Sequence, residues 1–537
     1  MKKFHLAFLA LMLSIFASEA AVRLPSVIAD GMVIQRNEPV KIWGWADSGE
    51  EVTVSWKKEK VTTTADESGR WIVTLSPSKA GGPYTMTIGN TTINDILVGD
   101  VFLCSGQSNM ELPVARVMDM FAQEVLSYEN TQIRQLQIPQ TFDFNTLQDD
   151  VPSTSWKPLT QENVMKFSAL AYFYAKELYA ATGVPVGIVN SSWGGTPVEA
   201  WTSEEAMKDK FPQFINAKRI YEDDGYRDRI KKLEGENFYR WNTALDNGDP
   251  GLNGPVKWYA AELDDADWQS VDMFAKTWGN DGLNPTGGSH WFRKDVTMPA
   301  EWAGKEAIIR MGCIVDADSV YVNGHFVGNT TYQYPPRIYR IPAGVLKEGT
   351  NNVTVRVISN GGQPSFVQEK PYKIICCNEE VSLEGTWKYR LGAPMPPAPS
   401  MMFFYYKPVC LYNAMIHPLK NMKFAGVLWY QGESNVTGRN IYAEQLLTMM
   451  DDWRKTFADE DLMFYIVELA DFLHESDVEG RQAWAEFRQQ QAQAAERDSN
   501  ATLIRNSDLG EWNDIHPLDK KTLGQRIARE ALKRMKN

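Results

Sequence analysis

Between residues 21 and 98 apolar and polar positions alternate with period two. The runs VKIWGW, EVTVSW, RWIVTL and YTMTI each read as a short half-buried strand. Asp47-Ser48-Gly49, Asp66-Glu67-Ser68-Gly69 and Gly81-Gly82-Pro83 separate them with turn chemistry, so the segment predicts a small N-terminal β-sandwich. From residue 99 the pattern changes. Val101 to Cys104 is a continuous apolar strand, Phe167 to Thr182 has helical periodicity and stops at Gly183, and Val186 to Val189 is a second buried strand. Strand, helix, strand predicts an α/β sheet with crossover connections.

Alternation returns over 250–393, in WFRKDVTM, EAIIRM, DSVYVNGHFVG and NNVTVRVIS, with Asn323-Gly324 as a hairpin turn between two apolar runs. Pro394, Pro396, Pro397 and Pro399 mark a linker. The α/β pattern then resumes: a strand over Phe424–Tyr430, a helix over Ile441–Lys455, a strand over Leu462–Glu468 and an amphipathic helix over Thr522–Met535. The economical organisation is one α/β domain in two parts, 99–249 and 394–537, interrupted by a β insertion over 250–393.

A length of 537 residues suits three or four such units. Residues 1–20 carry Lys2 and Lys3, an apolar stretch from Leu6 to Ala17, and small residues at Ala17-Ser18-Glu19-Ala20. This is the pattern of a secretory signal peptide, so the expected location is exported, periplasmic or extracellular. No later segment has the length and apolarity of a membrane span, so a membrane is not expected as a partner. The net charge of -13 and the lack of a basic run argue against nucleic acid. The 18 Trp fit β cores and also suit sugar surfaces; the core reading is the default. Cys104, Cys313, Cys376, Cys377 and Cys410 have no metal spacing and read as mostly buried thiols with at most one disulfide. Neither paired CxxC motifs nor HExxH is present, so neither a metal nor a cofactor is expected.

In open α/β sheets ligands bind beyond the carboxyl ends of strands. Ser108, in VFLCSGQSNMEL, lies just past such an end. If Ser108 to Val117 opens a helix, its N–H groups face the site and favour a developing oxyanion. The bland alternative is a serine that caps a helix. A nucleophilic serine needs a base. Beyond the signal segment the histidines are His290, His325, His417, His474 and His516, and the first two fall in the β insertion. His516 lies in NDIHPLDKK before the last helix, with Asp514 two residues earlier to orient the imidazole. Taken alone, that spacing is far more often a surface loop; the strand-end serine in the same α/β unit is what makes the pair worth weighing. Two turns offer oxyanion donors: Ser192-Trp193-Gly194-Gly195-Thr196, through backbone N–H, and Trp429-Tyr430-Gln431-Gly432-Glu433, through the Gln431 amide. Glu433, if ionised, orients neighbours or binds substrate hydroxyls.

GQSNM at 106–110, SWGGTPVEAW at 192–201, WYQGESN at 429–435 and DIHP at 514–517, in that order, resemble the sialate O-acetylesterase family of the SGNH/GDSL hydrolase superfamily. The resemblance covers about 99–245 and 395–537. It implies a flavodoxin-like α/β hydrolase domain, with Ser108 as nucleophile and His516 as base. It maps the backbone donor of the second block to Gly194 or Gly195 and places Gln107, Asn109, Gln431 and Glu433 in the oxyanion and substrate-binding set. The third block of the superfamily carries an asparagine donor, where this chain has Gln431-Gly432-Glu433. The superfamily spacing D-x-x-H puts Asn513 where the acid stands, so the third triad member stays open among Asp514, Asn513 and a backbone carbonyl. Residues 285–360 resemble the jelly-roll sugar-binding module found inside some glycosidases. The implied partner is an acetylated sugar or glycan. The implied activity is deacetylation of sialic acids through a serine acyl-enzyme, against an acetylxylan-type esterase or a non-catalytic sugar-binding protein. The sequence does not give the oligomeric state.

Overall fold

The computed structural model describes residues 22–275, 278 and 286–535 of the chain. The expected signal peptide, 1–20, lies outside them. Five parallel strands carry the α/β unit: β1 (Thr91–Gly106), β2 (Val186–Ser192), β3 (Gly426–Tyr430), β4 (Phe464–Val467) and β5 (Ala501–Ile504). Their order across the sheet is 2-1-3-4-5, so the direction of strand addition reverses between β1 and β3. Two further strands, Asn130–Gln137 and Trp156–Leu159, extend the sheet beyond β2, the first parallel to it and the second antiparallel to the first. Phe102, Leu103, Val189, Val427, Leu428 and Ile466 are fully buried, as strands covered on both faces require.

The helices follow from the same chain logic: α1 (Ala169–Thr182), α2 (Asp224–Gly248), α3 (Tyr442–Phe457), α4 (Val478–Glu496) and α5 (Lys520–Met535). Ser168 caps α1 by accepting the Ala171 N–H at 3.3 Å, and Gly183, at φ +64°, ends it in the left-handed conformation that glycine adopts without strain.

The first strand does not stop at the expected boundary near 98. β1 is one continuous strand whose first half pairs with Val33–Gln35 and Gly81–Ile88 of the N-terminal segment, and whose second half pairs with β2 and β3. The N-terminal core and the α/β core are accordingly one apolar cluster. The residues over 269–395 build a separate core around Trp278, Phe292, Trp302 and Trp387. Two antiparallel sheets cover it, one of six strands and one of four. Asn323 and Gly324 turn the hairpin between Ala317–Val322 and His325–Thr330 with positive φ at both positions, as the dipeptide predicts. Cys104, Cys313, Cys376 and Cys410 are buried thiols and Cys377 is exposed; all five are free. No helix among the described residues is long and apolar enough to cross a membrane.

Candidate active site

The reversal of strand order between β1 and β3 opens a crevice at their carboxyl ends, and Ser108 stands there. Gly106 makes the turn: φ is +128°, and a Cβ at this position would lie 2.1 Å from the Tyr430 carbonyl oxygen. Gln107 then donates its backbone N–H to that same oxygen at 3.0 Å, tying the end of β1 to the end of β3.

The helix expected over 108–117 is a single turn, Ser108–Glu111. Leu112 leaves it in an extended conformation because Pro113 follows, and a residue before proline is pushed out of the helical region. A 3-10 turn over Val114–Val117 and a helix over Met118–Leu126 continue the chain. Ser108 therefore opens one helical turn, without the dipole of a long helix behind it.

His516 arrives from the loop before α5. Its Nε2 lies 2.8 Å from Ser108 Oγ, and the imidazole is 6% exposed. Burial, with the nearby charges of Lys520 and Arg116, lowers its pKa to about 3. A neutral imidazole in hydrogen-bond contact with a serine hydroxyl is what a general base requires. Asp514 lies beside it: Oδ1 accepts the His516 backbone N–H at 2.9 Å and is 3.8 Å from the ring Nδ1. That separation exceeds a hydrogen bond, and Nδ1 has no hydrogen-bond partner among the described residues. Asn513 turns elsewhere, its side chain donating to the Gln368 carbonyl at 2.7 Å.

Several amides expected to face substrate are committed inward. Gln431 is fully buried; Asn435 Oδ1, the Thr196 carbonyl and Gln107 Oε1 lie within 2.7–3.2 Å of its amide nitrogen, and Tyr442 donates to its Oε1 at 2.8 Å. An oxyanion-donor role for Gln431 does not fit this geometry, because a buried amide with internal partners has no hydrogen left to offer. Gln107 Oε1 in turn accepts the Gly432 N–H at 3.2 Å. The Asn109 amide donates to Glu433 Oε1 at 2.6 Å and to the Ile515 carbonyl at 2.9 Å, while Lys520 donates to its oxygen at 2.8 Å. Asn109 and Glu433 thus brace the serine turn against the histidine loop. Burial raises the Glu433 pKa and lowers that of Lys520 to about 8.

Gly194 lies beside Ser108, where a Cβ would be 3.4 Å from Ser108 Cβ. Its N–H is engaged by Glu111 Oε2 at 2.6 Å, and Gln140 donates to the other Glu111 oxygen at 2.9 Å. Burial raises the pKa of this carboxyl. Gly195, at φ +76°, accepts from Ser434 Oγ at 2.7 Å, and a Cβ here would strike the Tyr406 hydroxyl at 1.8 Å.

Aromatic rings surround the pair. Trp193 stacks on Tyr405 at 4.1 Å with 7° between the planes, and Tyr405 meets Tyr406 edge-on. Tyr334, from the β insertion, packs edge-on against His516 with centroids 5.2 Å apart. Glu111, Lys520, Tyr334 and the Tyr405-Tyr406 pair have no part in the sequence reading. Of these only Glu111 carries a local signal, as the residue that continues the SNM run.

A family model described as "Carbohydrate esterase, sialic acid-specific acetylesterase" matches residues 98–233 and 400–533. The sialate O-acetylesterases of Homo sapiens and Rattus norvegicus are 34% and 35% identical to this chain over 208 residues, which is 35% of the chain. The matched stretch is 40% and 38% of the length of those relatives. A crystal structure of a carbohydrate acetylesterase from Xanthomonas citri is similar over 95% of this chain and 74% of that one, with a TM-score of 0.55 at 25% identity.

Proposed function

The chain belongs to the sialic acid-specific acetylesterase family of carbohydrate esterases, and from that premise we propose that it is a serine esterase removing O-acetyl groups from acetylated sugars, sialic acids first among them. The observation that supports this best is the 2.8 Å contact between Ser108 Oγ and a neutral, buried His516 imidazole at the strand-order reversal.

In this reading Ser108 Oγ attacks the acetyl carbonyl while His516 Nε2 takes its proton. The tetrahedral oxyanion is met by the Ser108 backbone N–H and by the Gly194 N–H once the substrate displaces Glu111 from it. The same imidazole returns the proton to the departing sugar hydroxyl. Water, deprotonated by His516, then attacks the acetyl-serine, the bond to Ser108 Oγ breaks, and the imidazolium returns its proton to Ser108 Oγ as acetate leaves. Asp514 is the acid of the unit, its charge stabilising the imidazolium from 3.8 Å.

A second reading, deacetylation of a neutral polysaccharide such as xylan, is favoured by the aromatic surround of Trp193, Tyr405, Tyr406 and Tyr334, since flat rings suit the apolar faces of uncharged sugars. We read the β units over 22–98 and 250–393 as a sandwich and a jelly-roll module that shape substrate access, in an exported protein. Acetate release measured side by side on O-acetylated sialic acid and acetylated xylan separates the two substrate classes. No release from either, nor from a small aryl acetate, contradicts the esterase reading.

A further inference from the structure

We infer that Lys370, a residue of the β insertion, is a positioning residue for the His516 base; this rests on the esterase reading of the site. Sequence order sets the insertion apart from the motifs, yet its loop 367–371 grips the histidine loop at three successive residues. The Gln368 carbonyl accepts from Asn513 at 2.7 Å, Glu369 Oε2 accepts from Trp512 Nε1 at 2.9 Å, and Lys370 Nζ donates to Glu511 Oε2 at 2.8 Å and Asp514 Oδ2 at 3.3 Å. Lys370 and Asp514 are both largely buried, with side chains 12% and 10% exposed. The Asp514 carboxylate is therefore shared. One oxygen serves His516 and the other is held by an ammonium from a different unit.

A paired, desolvated carboxylate has one orientation, whereas an unpaired one swings toward water. Lys370 fixes Asp514, and Asp514 fixes the backbone of His516 through its N–H. The charged groups that act on the imidazole from other elements are Arg116, from the 3-10 turn, and Lys520, from α5; Glu433, from the turn after β3, and Glu511 act on Lys520. Tyr334 adds a second insertion residue at the ring. Among these Lys370 alone pairs with the acid next to the base.

The experiment compares Lys370→Met and Lys370→Arg with the wild type. In Lys370→Met kcat on an acetyl ester is expected to fall by about ten- to a hundredfold, the scale of a small misplacement of a catalytic group, with KM little changed. The acid limb of kcat/KM is expected at higher pH, because a cation is removed from beside the histidine loop. Lys370→Arg is expected to restore most of kcat. Titration of the His516 imidazole by NMR in isotope-labelled protein, with assignment from His516→Ala, is expected to show the same upward shift, and it requires no turnover. An unchanged kcat together with an unchanged His516 titration overturns the inference. So does a loss of activity that tracks a fall in Tm and is not rescued by arginine, which makes the contact merely structural. A wild type that is inactive on every acetyl ester contradicts the esterase reading instead, and the imidazole titration still decides the role of Lys370.

Discussion

His516 combines two properties: it touches the Ser108 hydroxyl, and it resists protonation. Burial is the larger cause, with the cations Lys520 and Arg116 adding to it. An unfolded histidine protonates near 6.5 and the folded one near 3, so between those values the unfolded chain binds more protons. Stability from the neutral site is present above pH 6.5 and is lost as pH falls through that window. The kinetic counterpart is an acid limb of kcat/KM lying well below 6.5, measured on an acid-stable acetyl ester; a limb at 6.5 contradicts the buried-base account. His516→Ala is expected to cost several powers of ten in kcat, as removal of one member of a catalytic unit commonly does. Asp514→Asn is expected to be milder, because Oδ1 stands 3.8 Å from Nδ1 and the Asn side chain still reaches the His516 N–H. Equal losses in the two variants would make Asp514 a full member of the triad, orienting and stabilising the imidazolium.

At the scale of elements, the site is a junction of strand ends. Gly106 lets β1 turn against the Tyr430 carbonyl, and Gln107 reads that carbonyl and the Gly432 N–H together. Gly106→Ala places a Cβ 2.1 Å from backbone at a φ of +128°, so it is expected to cost about 1–3 kcal/mol of stability by strain and to lower kcat by moving Ser108. Thermal unfolding and kcat of that variant check both; wild-type values for each contradict it. The strands of this junction were legible because buried parallel strands are continuous apolar runs, as in Val101–Cys104 and Phe424–Tyr430. The helix supposed over Ser108–Val117 stops after one turn, because Pro113 pushes Leu112 out of the helical region. Helix α2 was not read at all. Its only buried side chains of any size are Trp241 and Leu245, so its sequence, DGYRDRIKKLEGENFYRWNTALDNG, carries almost no apolar stripe.

For the whole molecule, linear order and spatial order diverge where the β insertion meets the α/β unit. Ser108 and His516, 2.8 Å apart in the fold, could be paired from sequence only through the order of four motifs that resemble a known family, because alone each reads as readily as a helix cap or a surface loop. The seam between the insertion and the histidine loop was not legible, because no local pattern in VQEKP, at 367–371, says that it meets residues more than a hundred positions later. Amides read as substrate-facing were equally opaque: a buried glutamine and an oxyanion donor look alike until partners are known. No group of three or more His, Cys, Asp or Glu placed to hold a metal occurs among the described residues, and the chemistry proposed uses none. Exhaustive dialysis against a chelator is expected to leave acetyl-ester turnover unchanged, and a loss restored by a divalent ion contradicts this. The central claim is that Ser108 is the nucleophile. Its most direct test is acetate release from one O-acetylated sugar by wild type and Ser108→Ala at equal concentration, with folding checked by circular dichroism. The expected result is a loss of several powers of ten in kcat in a folded variant; retention of near wild-type turnover by folded Ser108→Ala contradicts the account.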